Sequence, residues 1–376
     1  MVRNLRFSFL LCFLTCALAF SHCKEKETCD DALQNQDETG VDCGGVCDAC
    51  ATCTDGIRNQ NETGVDCGGS CPNPCSIISN LTQYTTANSD IPSDNIRTFH
   101  WDGTNLWVAT DAGVGVLTSG TWVTYNTTNS SLPSNDVRDF WQGNDGSMWM
   151  TTANGVARLN NGTWTIFNST NGAPVELDNA EHIVQALNWT IVTSPGTGFL
   201  IYDTFTWTVY TPSNSNLPSA NINDVDANPL QDIWFSTEDV GLVRYNNSNF
   251  STMNTGNSAL TNDQLTSLIL TGDDDLWIGS QGGLFKKSST GSVTHWDNTN
   301  TAIASNVVKV LQRDQYGHLW INANGLAKYD PANSSWIYYT AANSSDMLSA
   351  ATAVHVESGT QLKWVGTDGF GLITFN

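Results

Sequence analysis

The tryptophans of this chain recur at nearly constant spacing and divide most of it into repeats. Seven of them are separated by 42, 40, 45, 43, 43 and 44 residues, and they are Trp107, Trp149, Trp189, Trp234, Trp277, Trp320 and Trp364. Repeats of roughly this length that hold four short strands are typical of propeller blades, whereas most solenoid repeats carry helices. The spacing therefore predicts an all-β fold with seven blades.

Each repeat reads as four short strands joined by turns. In LPSNDVRDFWQGNDGSMWMTTANGVARLNNGTWTIFN, residues 132–168, glycine and asparagine interrupt the apolar runs at 143–146, 154–155 and 160–162. These residues favour tight turns, and the valine, threonine and aromatic residues between them favour strands. The pattern predicts one blade with strands, from innermost to outermost, over 137–141, 148–152, 156–159 and 164–167.

The two ends of the repeat region complement each other. The last repeat stops at GFGLITFN and lacks the aromatic pair, spaced three residues apart, that marks the fourth strand elsewhere. Residues 81–88, LTQYTTAN, match 336–343 of the sixth repeat in register. We predict that an N-terminal strand completes the last blade of a propeller spanning 76–376, which removes the open edge of the array.

The N-terminus has the layout of a signal peptide. Arg3 and Arg6 precede an apolar run, and Ala17-Leu18-Ala19 follows it as a small-residue cleavage site. We therefore predict that residues 1–19 direct export. No later stretch approaches the roughly 20 apolar residues that a spanning helix needs, so we expect no membrane-spanning segment.

Residues 20–75 carry two copies of a cysteine-rich segment, at 29–50 and 53–75. Each copy has too few apolar residues for a core, so in an exported chain we expect covalent cross-links. We predict two disulfides in each copy, among Cys29, Cys43, Cys47, Cys50, Cys53, Cys67, Cys71 and Cys75. Four cysteines allow three pairings, and the sequence does not choose among them.

Metal binding is the weaker interpretation of these copies. Zinc sites usually pair C-x2-C spacings, and within the two copies Cys47 and Cys50 alone have that spacing. Oxygen-bearing residues at alternate positions resemble the first half of a calcium loop: Asn35, Asp37, Thr39, Asn59, Asn61 and Thr63. The closing carboxylate of such a loop is missing, and Asx turns explain the same residues. We expect no metal and no cofactor, with calcium in the copies as the alternative.

Cys23 is left over once the paired cysteines are assigned. It follows the predicted signal peptide closely, as the lipidated cysteine of a bacterial lipoprotein does, although Ser21-His22 fits a lipobox poorly. Cleavage after Ala19 with a free or intermolecular thiol is the alternative. We favour lipidation, because it accounts for the odd count.

The charge balance excludes one class of partner. Lys+Arg 15 against Asp+Glu 37 gives a net charge of −22. Such a surface repels phosphate backbones and anionic lipids. We therefore expect no nucleic-acid partner.

Two groups of motifs carry a family resemblance. LPSNDVRDFWQGNDGSMWMTTANGVARL and its echo IASNVVKVLQRDQYGHLWINANGLAKY resemble the two-component regulator propeller repeat, which occurs in periplasmic sensor portions of bacterial hybrid histidine kinases. The paired ETGVDCGG segments resemble cysteine-rich repeats of exported, often bacterial, proteins. The resemblance implies a seven-bladed propeller outside the cytoplasm. It implies little about chemistry, because the shared residues are scaffold.

Motifs of catalysis are absent from the sequence. HExxH, GxSxG and P-loop patterns do not occur, and no two histidines share a metal-ligand spacing. We expect His100 and His355, late in innermost strands, to line the central channel. An acid/base pair would have to come from scattered aspartates, namely Asp139, Asp224 and Asp226.

Five residues of the predicted channel are candidates for ligand binding. Arg97, Arg138 and Lys309 share one register near a channel mouth, where a partial ring of positive charge would hold a carboxylate or sulfate. Ion pairing with neighbours such as Asp136 or Asp139 is the alternative. Trp101 and Trp141 break the repeat pattern, which makes them candidates for stacking. A second basic register on the third strands, Arg158, Arg244, Lys286 and Lys328, is interpreted as scaffold.

These features favour a non-enzymatic function. We predict an exported or lipid-anchored propeller that recognises a glycan or an extracellular protein at its channel face. The alternative is a secreted propeller enzyme, a polysaccharide lyase or hydrolase, that acts at the channel mouth.

Overall fold

The computed structural model describes residues 75–78, 81–246, 248–301, 303–341 and 346–376. The predicted signal peptide, the lipidation at Cys23, the calcium ligands and the cysteines from Cys29 to Cys71 lie outside the described residues. Cys75 begins the first described strand.

Seven sheets form the blades, with strands numbered along the chain from β1 (Cys75–Ile78) and β2 (Thr82–Tyr84). Blade one contains β3 (Ile96–Trp101), β4 (Leu106–Thr110), β5 (Gly113–Thr118) and β6 (Thr121–Tyr125). Blade two contains β7 (Val137–Gln142), β8 (Met148–Thr152), β9 (Gly155–Asn160) and β10 (Thr163–Phe167). Blade three contains β11 (Ile183–Ala186), β12 (Trp189–Ser194), β13 (Gly198–Tyr202) and β14 (Trp207–Tyr210).

The remaining blades repeat this order. Blade four contains β15 (Ile222–Ala227), β16 (Ile233–Thr237), β17 (Leu242–Asn246) and β18 (Asn249–Met253). Blade five contains β19 (Leu265–Leu270), β20 (Leu276–Ser280), β21 (Gly283–Lys287) and β22 (Val293–Trp296). Blade six contains β23 (Lys309–Arg313), β24 (Leu319–Asn322), β25 (Leu326–Asp330) and β26 (Ser335–Ala341). Blade seven contains β27 (Ala351–Val356), β28 (Lys363–Thr367) and β29 (Leu372–Phe375), and β2 is its fourth strand.

The seven four-stranded antiparallel blades confirm the predicted fold. In blade two the strand predicted over 148–152 has those bounds, the first and fourth strands are one residue longer at one end, and the third is one residue longer at both ends. Gly155 begins the third strand at a φ of 112°, where a Cβ would lie 2.5 Å from the carbonyl oxygen of Phe167. Glycine at this point of the repeat therefore allows the third and fourth strands to pair.

The ring closes as predicted. Thr82 pairs with Thr374 and Tyr84 with Leu372, so β2 is antiparallel to β29. The innermost strands β27 and β3 also contact each other, and Thr352 Oγ1 donates to the carbonyl oxygen of Ile96 over 2.8 Å. The N-terminal strand thus completes blade seven, and a side-chain bond joins that blade to blade one.

A fifth strand on blade six goes beyond the prediction. Strand β1 runs parallel to β26, with Cys75 opposite Tyr338 and Ile78 opposite Ala341. Ile78 is buried in a cluster with Trp320 and Leu348. The segment before the propeller therefore covers the outer edge of this blade.

The core lies between blades and is rich in aromatic rings. Trp149 stacks on Phe167 of its own blade at 5.6 Å and lies 6.2 Å from Tyr202 of blade three. Trp277 likewise stacks on Trp296 at 5.4 Å and meets Tyr329 of blade six at 5.7 Å. Four of the repeated tryptophans are buried, namely Trp149, Trp277, Trp320 and Trp364. The repeated tryptophans therefore pack the blades together.

Helices are few and short in the described part of the chain. Two 3-10 helices, η1 (Ser169–Asn171) and η2 (Val175–Asn179), precede blade three, and α1 (Asp346–Ser349) precedes blade seven. No helix among the described residues is long and apolar enough to cross a membrane.

Candidate functional site: two mouths of the central channel

The innermost strands run in the same direction, so their first residues gather at one end of the channel and their last residues at the other. We call the first end the charged mouth and define it by Arg97, Asp136, Arg138, Glu181 and Lys309. We call the second end the aromatic mouth and define it by His100, Trp101, Gln142, Gln312 and His355.

The charged mouth is an ion-pair network around Arg138. Its Nε donates to Asp136 Oδ2 over 3.2 Å, and its Nη1 donates to Glu181 Oε2 over 2.9 Å. Nη1 also lies 2.8 Å from Asn179 Oδ1 and 3.2 Å from the carbonyl oxygen of Ala180. Because 17% of the Arg138 side chain is exposed, little of the guanidinium is accessible to another anion.

Arg97 and Lys309 differ from Arg138 although they share its register. Arg97 is half-exposed, and its Nη2 lies 3.4 Å from Asp136 Oδ1. Lys309 is exposed and makes no ion pair with another described residue. The structure therefore joins Arg97 and Arg138 through one carboxylate and leaves Lys309 out of that network.

A histidine lies close to two aspartates of the innermost strands. The aspartates come one residue after the position that Arg138 occupies in its strand. His182 Nδ1 is 3.5 Å from Asp139 Oδ2 and 3.8 Å from Asp224 Oδ1. Burial opposes protonation, but the hydrogen bond with Asp139 and the charge of Asp224 raise the pKa of His182 to about 9. His182 is therefore an imidazolium at neutral pH.

The three aspartates considered as acid/base candidates join neighbouring blades. Asp139 accepts from the backbone N–H of Phe140 and of Ile183 in the next blade, over 2.8 and 3.1 Å. Asp224 and Asp226 repeat this arrangement towards blade five, where they accept from Leu268 and Leu270. Burial is the main cause that raises the pKa of Asp226 to about 7.

These backbone hydrogen bonds occupy the carboxylates of the three aspartates. Both oxygens of each carboxylate are engaged, one within its own strand and one across the blade interface. Among the described residues, no group of three or more His, Cys, Asp or Glu side chains is placed to hold a metal ion. The aspartates hold innermost strands side by side.

The aromatic mouth is organised around two stacked rings. Trp101 stacks on His355 with centroids 5.7 Å apart and 18° between the ring planes. His100 Nε2 lies 3.4 Å from Gln142 Oε1. His100, Trp101, Gln312 and His355 line a recess of about 240 Å³ between blades six, seven and one.

Several polar groups of this recess have no partner within the part of the chain that the structure describes. The indole N–H of Trp101, the amide of Gln312 and the ring nitrogens of His355 make no hydrogen bond with any residue that the structure describes. A polar group beside an aromatic face is free to bond a ligand when the protein does not use it. This is the main difference from the charged mouth.

The two histidines of the aromatic mouth are neutral at neutral pH. Burial lowers the pKa of His100, against the opposing hydrogen bond with Gln142 and the charge of Asp102. Burial also lowers the pKa of His355, and the neighbouring His100 adds to that effect while Glu357 opposes it. The recess therefore offers uncharged donors and acceptors.

The structure separates the two tryptophans that the sequence singled out. Both pack against hydrophobic clusters between blades, Trp101 against one and Trp141 against two, but Trp101 also lines the recess. Sequence reasoning did not place Gln312 at the mouth. The available signal was register, because His100, Gln312 and His355 each pair with a repeated tryptophan, namely Trp107, Trp320 and Trp364.

The second basic register has a structural role in three blades. Arg158 pairs with Asp145, Arg244 Nη2 lies 2.6 Å from Asp232 Oδ2, and Lys286 Nζ lies 2.6 Å from Asp275 Oδ2. Each cation also sits over a repeated tryptophan, at 5.2, 5.3 and 5.4 Å from the ring centroids of Trp149, Trp234 and Trp277. The basic residues of this register therefore link the third strand to the acidic turn before the second strand and to the repeated tryptophan.

Comparisons with known proteins give likenesses of fold. No protein-family model matches the sequence, and no curated protein is similar to it. The extracellular domain of a protein classed as a hybrid two-component system of B. thetaiotaomicron superposes with a TM-score of 0.65 at 17% identity, over 79% of this chain and 41% of that one. The chain therefore spans less than half of that domain.

Two further structures have the same architecture. Virginiamycin B lyase from Staphylococcus aureus superposes with a TM-score of 0.60 at 14% identity, over 78% of this chain and 98% of the lyase. PorZ, a surface component of the type-IX secretion system of Porphyromonas gingivalis, superposes with a TM-score of 0.59 at 16% identity, over 78% of this chain and 48% of PorZ. At these identities the likeness is one of fold.

Proposed function

We propose that this chain is a non-enzymatic recognition propeller that binds a neutral glycan at the aromatic mouth. The observation that carries the proposal is the Trp101–His355 stack, whose centroids are 5.7 Å apart, beside polar groups that bond to none of the described residues. A ring face binds the apolar face of a sugar, and amide and imidazole groups bond its hydroxyls. A recess of about 240 Å³ suits one sugar ring at the end of a chain.

The cellular setting is part of the proposal. We infer an extracytoplasmic protein related to the two-component regulator propellers, on the signal-peptide layout and the repeat motifs. The structural neighbours that are extracellular domains or surface components support this setting. Lipid on Cys23 would hold the chain at a membrane surface, and an extracellular protein is the alternative partner.

Binding explains the arrangement of titratable groups better than catalysis does. Glycoside cleavage needs an acid and a base on either side of the scissile bond. The carboxylates of Asp139, Asp224 and Asp226 are engaged between strands, and the recess itself holds two neutral histidines. An oligosaccharide bound there is therefore expected to leave unchanged.

A glycan array tests the proposal, with the wild type beside Trp101→Ala and Gln312→Ala. We expect Trp101→Ala to weaken binding by at least about tenfold, as loss of a central aromatic contact does, and Gln312→Ala to weaken it by about fivefold. Phe205→Ala is the matched control, because Phe205 is an aromatic residue 87% exposed in an outer turn. Arg97→Ala tests the competing basic site.

Two results would overturn the proposal. One is a bound glycan whose affinity falls in Arg97→Ala and is unchanged in Trp101→Ala, which would move the site to the charged mouth. The other is the appearance of cleaved products when bound sugars are analysed by mass spectrometry, which would make the chain an enzyme.

A further inference from the structure

A second concave site lies on the outer rim, between blades three and four. It is a cleft of about 670 Å³, and its aromatic residues are Tyr210, Tyr245 and Phe250. Its walls carry hydroxyl and amide side chains, among them Asn216, Ser251 and Thr252. The cleft shares no residue with the aromatic mouth.

The cleft arises where the chain departs from its own repeat. In blades two and three the first aromatic residue of the fourth strand is tryptophan, and each ring meets the preceding blade edge-on. Trp164 meets Tyr125 at 5.6 Å and Trp207 meets Phe167 at 5.7 Å, both with 70° between planes. Blade four has Phe250 in this register, since Phe250 pairs with Tyr245 as Trp207 pairs with Tyr202.

The smaller ring fills the blade interface less completely. Phe250 lies 4.9 Å from Tyr245 of its own blade and meets Phe199 of blade three edge-on, at 6.2 Å with 74° between planes. This contact with the preceding blade is longer than those of Trp164 and Trp207, at 5.6 and 5.7 Å. Because a phenyl ring is also smaller than an indole, Phe250 occupies less of the space at its interface than the two tryptophans do at theirs. Phenylalanine lacks the second ring of tryptophan, so it makes fewer packing contacts. The space that remains between the blades at the rim is accessible to solvent.

The groups that face the cleft are uncharged donors and acceptors. Tyr245 donates its hydroxyl to the Tyr210 oxygen over 3.2 Å, so the hydroxyl hydrogen of Tyr210 can be donated to another acceptor. Burial raises the pKa of Tyr210, which keeps it a donor at neutral pH. No residue lining the cleft is charged, although the chain carries 37 acidic and 15 basic residues.

We infer that the rim cleft binds a neutral saccharide, with a sugar ring against the tyrosine and phenylalanine rings and its hydroxyls bonded to Tyr210 and the wall residues. Aromatic faces beside hydroxyl and amide groups suit a polyhydroxylated ring, whereas a charged ligand would find no counter-charge in the lining. The site is independent of the one proposed at the aromatic mouth.

Filling the cleft is the sharpest test. Maltotriose, cellotriose and chitotriose are each offered at up to about 10 mM to the full chain, and binding is followed by saturation-transfer NMR. We expect at least one trisaccharide to bind the wild type, and Phe250→Trp to weaken that binding by at least about tenfold. The variant should fold, because tryptophan stands in this register in blades two and three.

The matched control makes the reciprocal change at the neighbouring interface. Trp207→Phe alters the contact between blades two and three and should leave cleft binding within about twofold of the wild type. Tyr210→Phe removes the donor, keeps the ring and should weaken binding by about fivefold. A sulfated disaccharide, the charged probe, should not bind the cleft.

The outcomes separate this site from the aromatic mouth. Binding that survives Trp101→Ala and is lost in Phe250→Trp supports the rim cleft. Binding that survives Phe250→Trp overturns the inference, and if the same binding is lost in Trp101→Ala the proposed function stands without it. If none of the three trisaccharides binds the wild type, the inference is wrong.

Discussion

The two mouths of the channel contain similar numbers of polar side chains but use them differently. At the charged mouth Arg138 has four acceptors, and Asp136 bridges it to Arg97. At the aromatic mouth Trp101 and His355 stack, and the amide of Gln312 beside them has no partner among the described residues. A cluster of charges is thus a weaker sign of a ligand site than a few unpaired groups beside a ring.

The physical reason is the cost of removing a charge from water. A half-buried guanidinium is stabilised when carboxylates and carbonyl oxygens surround it, and an incoming anion must displace them. Neutral groups such as Gln312 and His355 remain solvated at the mouth, and exchanging water for sugar hydroxyls costs them little. The charged mouth therefore stabilises the fold, and the aromatic mouth is better suited to bind a ligand.

The largest expected effect is on stability, from His182→Ala. Removing the imidazolium leaves Asp139 and Asp224 without their counter-charge, and we expect a loss of about 2 kcal/mol at neutral pH. This figure is below the cost of breaking a fully buried pair, because His182 and Asp139 are 29% and 23% exposed. Urea unfolding measures it, with His100→Ala at the neutral end as the control.

The pH dependence of that loss has a definite sign. The pKa of His182 is raised in the folded state to about 9, so the folded protein holds a proton that the unfolded chain loses above about 6.5. Its contribution is complete below about pH 6.5 and is lost as pH rises through about 9. The difference between wild type and His182→Ala should therefore shrink by about pH 10, and a constant difference would argue against the ion pair.

A smaller effect separates the two arginines of the charged mouth. Arg138→Ala should lower the free energy of unfolding by about 1.5 kcal/mol, because the acceptors around this guanidinium lose their donor, and the arginine side chain is only 17% exposed. Arg97→Ala should change it by less than about 0.5 kcal/mol, because a half-exposed pair contributes little. Equal losses in parallel thermal melts would contradict the network described here.

The smallest effect concerns acidification of the aromatic mouth. The pKa values of His100 and His355 lie below the usual 6.5, so both are neutral above about pH 7.5 and affinity for a neutral glycan should be constant there. Protonation at lower pH should weaken binding by about threefold, because charged rings hold water more tightly. Isothermal titration at several pH values measures this, and His355→Gln should reduce the change.

The seven-bladed ring could be predicted from the sequence, but the strand β1 and the assembly of the aromatic mouth could not. Tryptophan spacing and the match of residues 81–88 to the sixth repeat were enough to predict seven blades and closure by β2. The pairing of strand β1 was not predicted, because β1 runs parallel to a strand that is distant in sequence, and no turn in the sequence marks such a pairing. Trp101 was found because it breaks the repeat.

Gln312 and His355 belong with Trp101 for a reason that no local pattern carries. They come from blades six and seven and reach Trp101 of blade one only after β2 has paired with β29 and the ring has closed. Trp141 breaks the repeat as Trp101 does, yet it packs against two inter-blade clusters and does not line the recess. The neighbours that the closed ring gives each tryptophan, rather than its rarity in the sequence, distinguish the two.

The most direct test of the difference between the mouths is an NMR titration of the isotope-labelled chain with the tightest-binding glycan from the array. The indole N–H of Trp101, assigned with Trp101→Phe, reports the aromatic mouth, and the Nε–H of Arg138 reports the charged mouth. We predict a saturable shift of the Trp101 signal while the Arg138 signal stays in place. A shift at Arg138 without one at Trp101 would contradict the account.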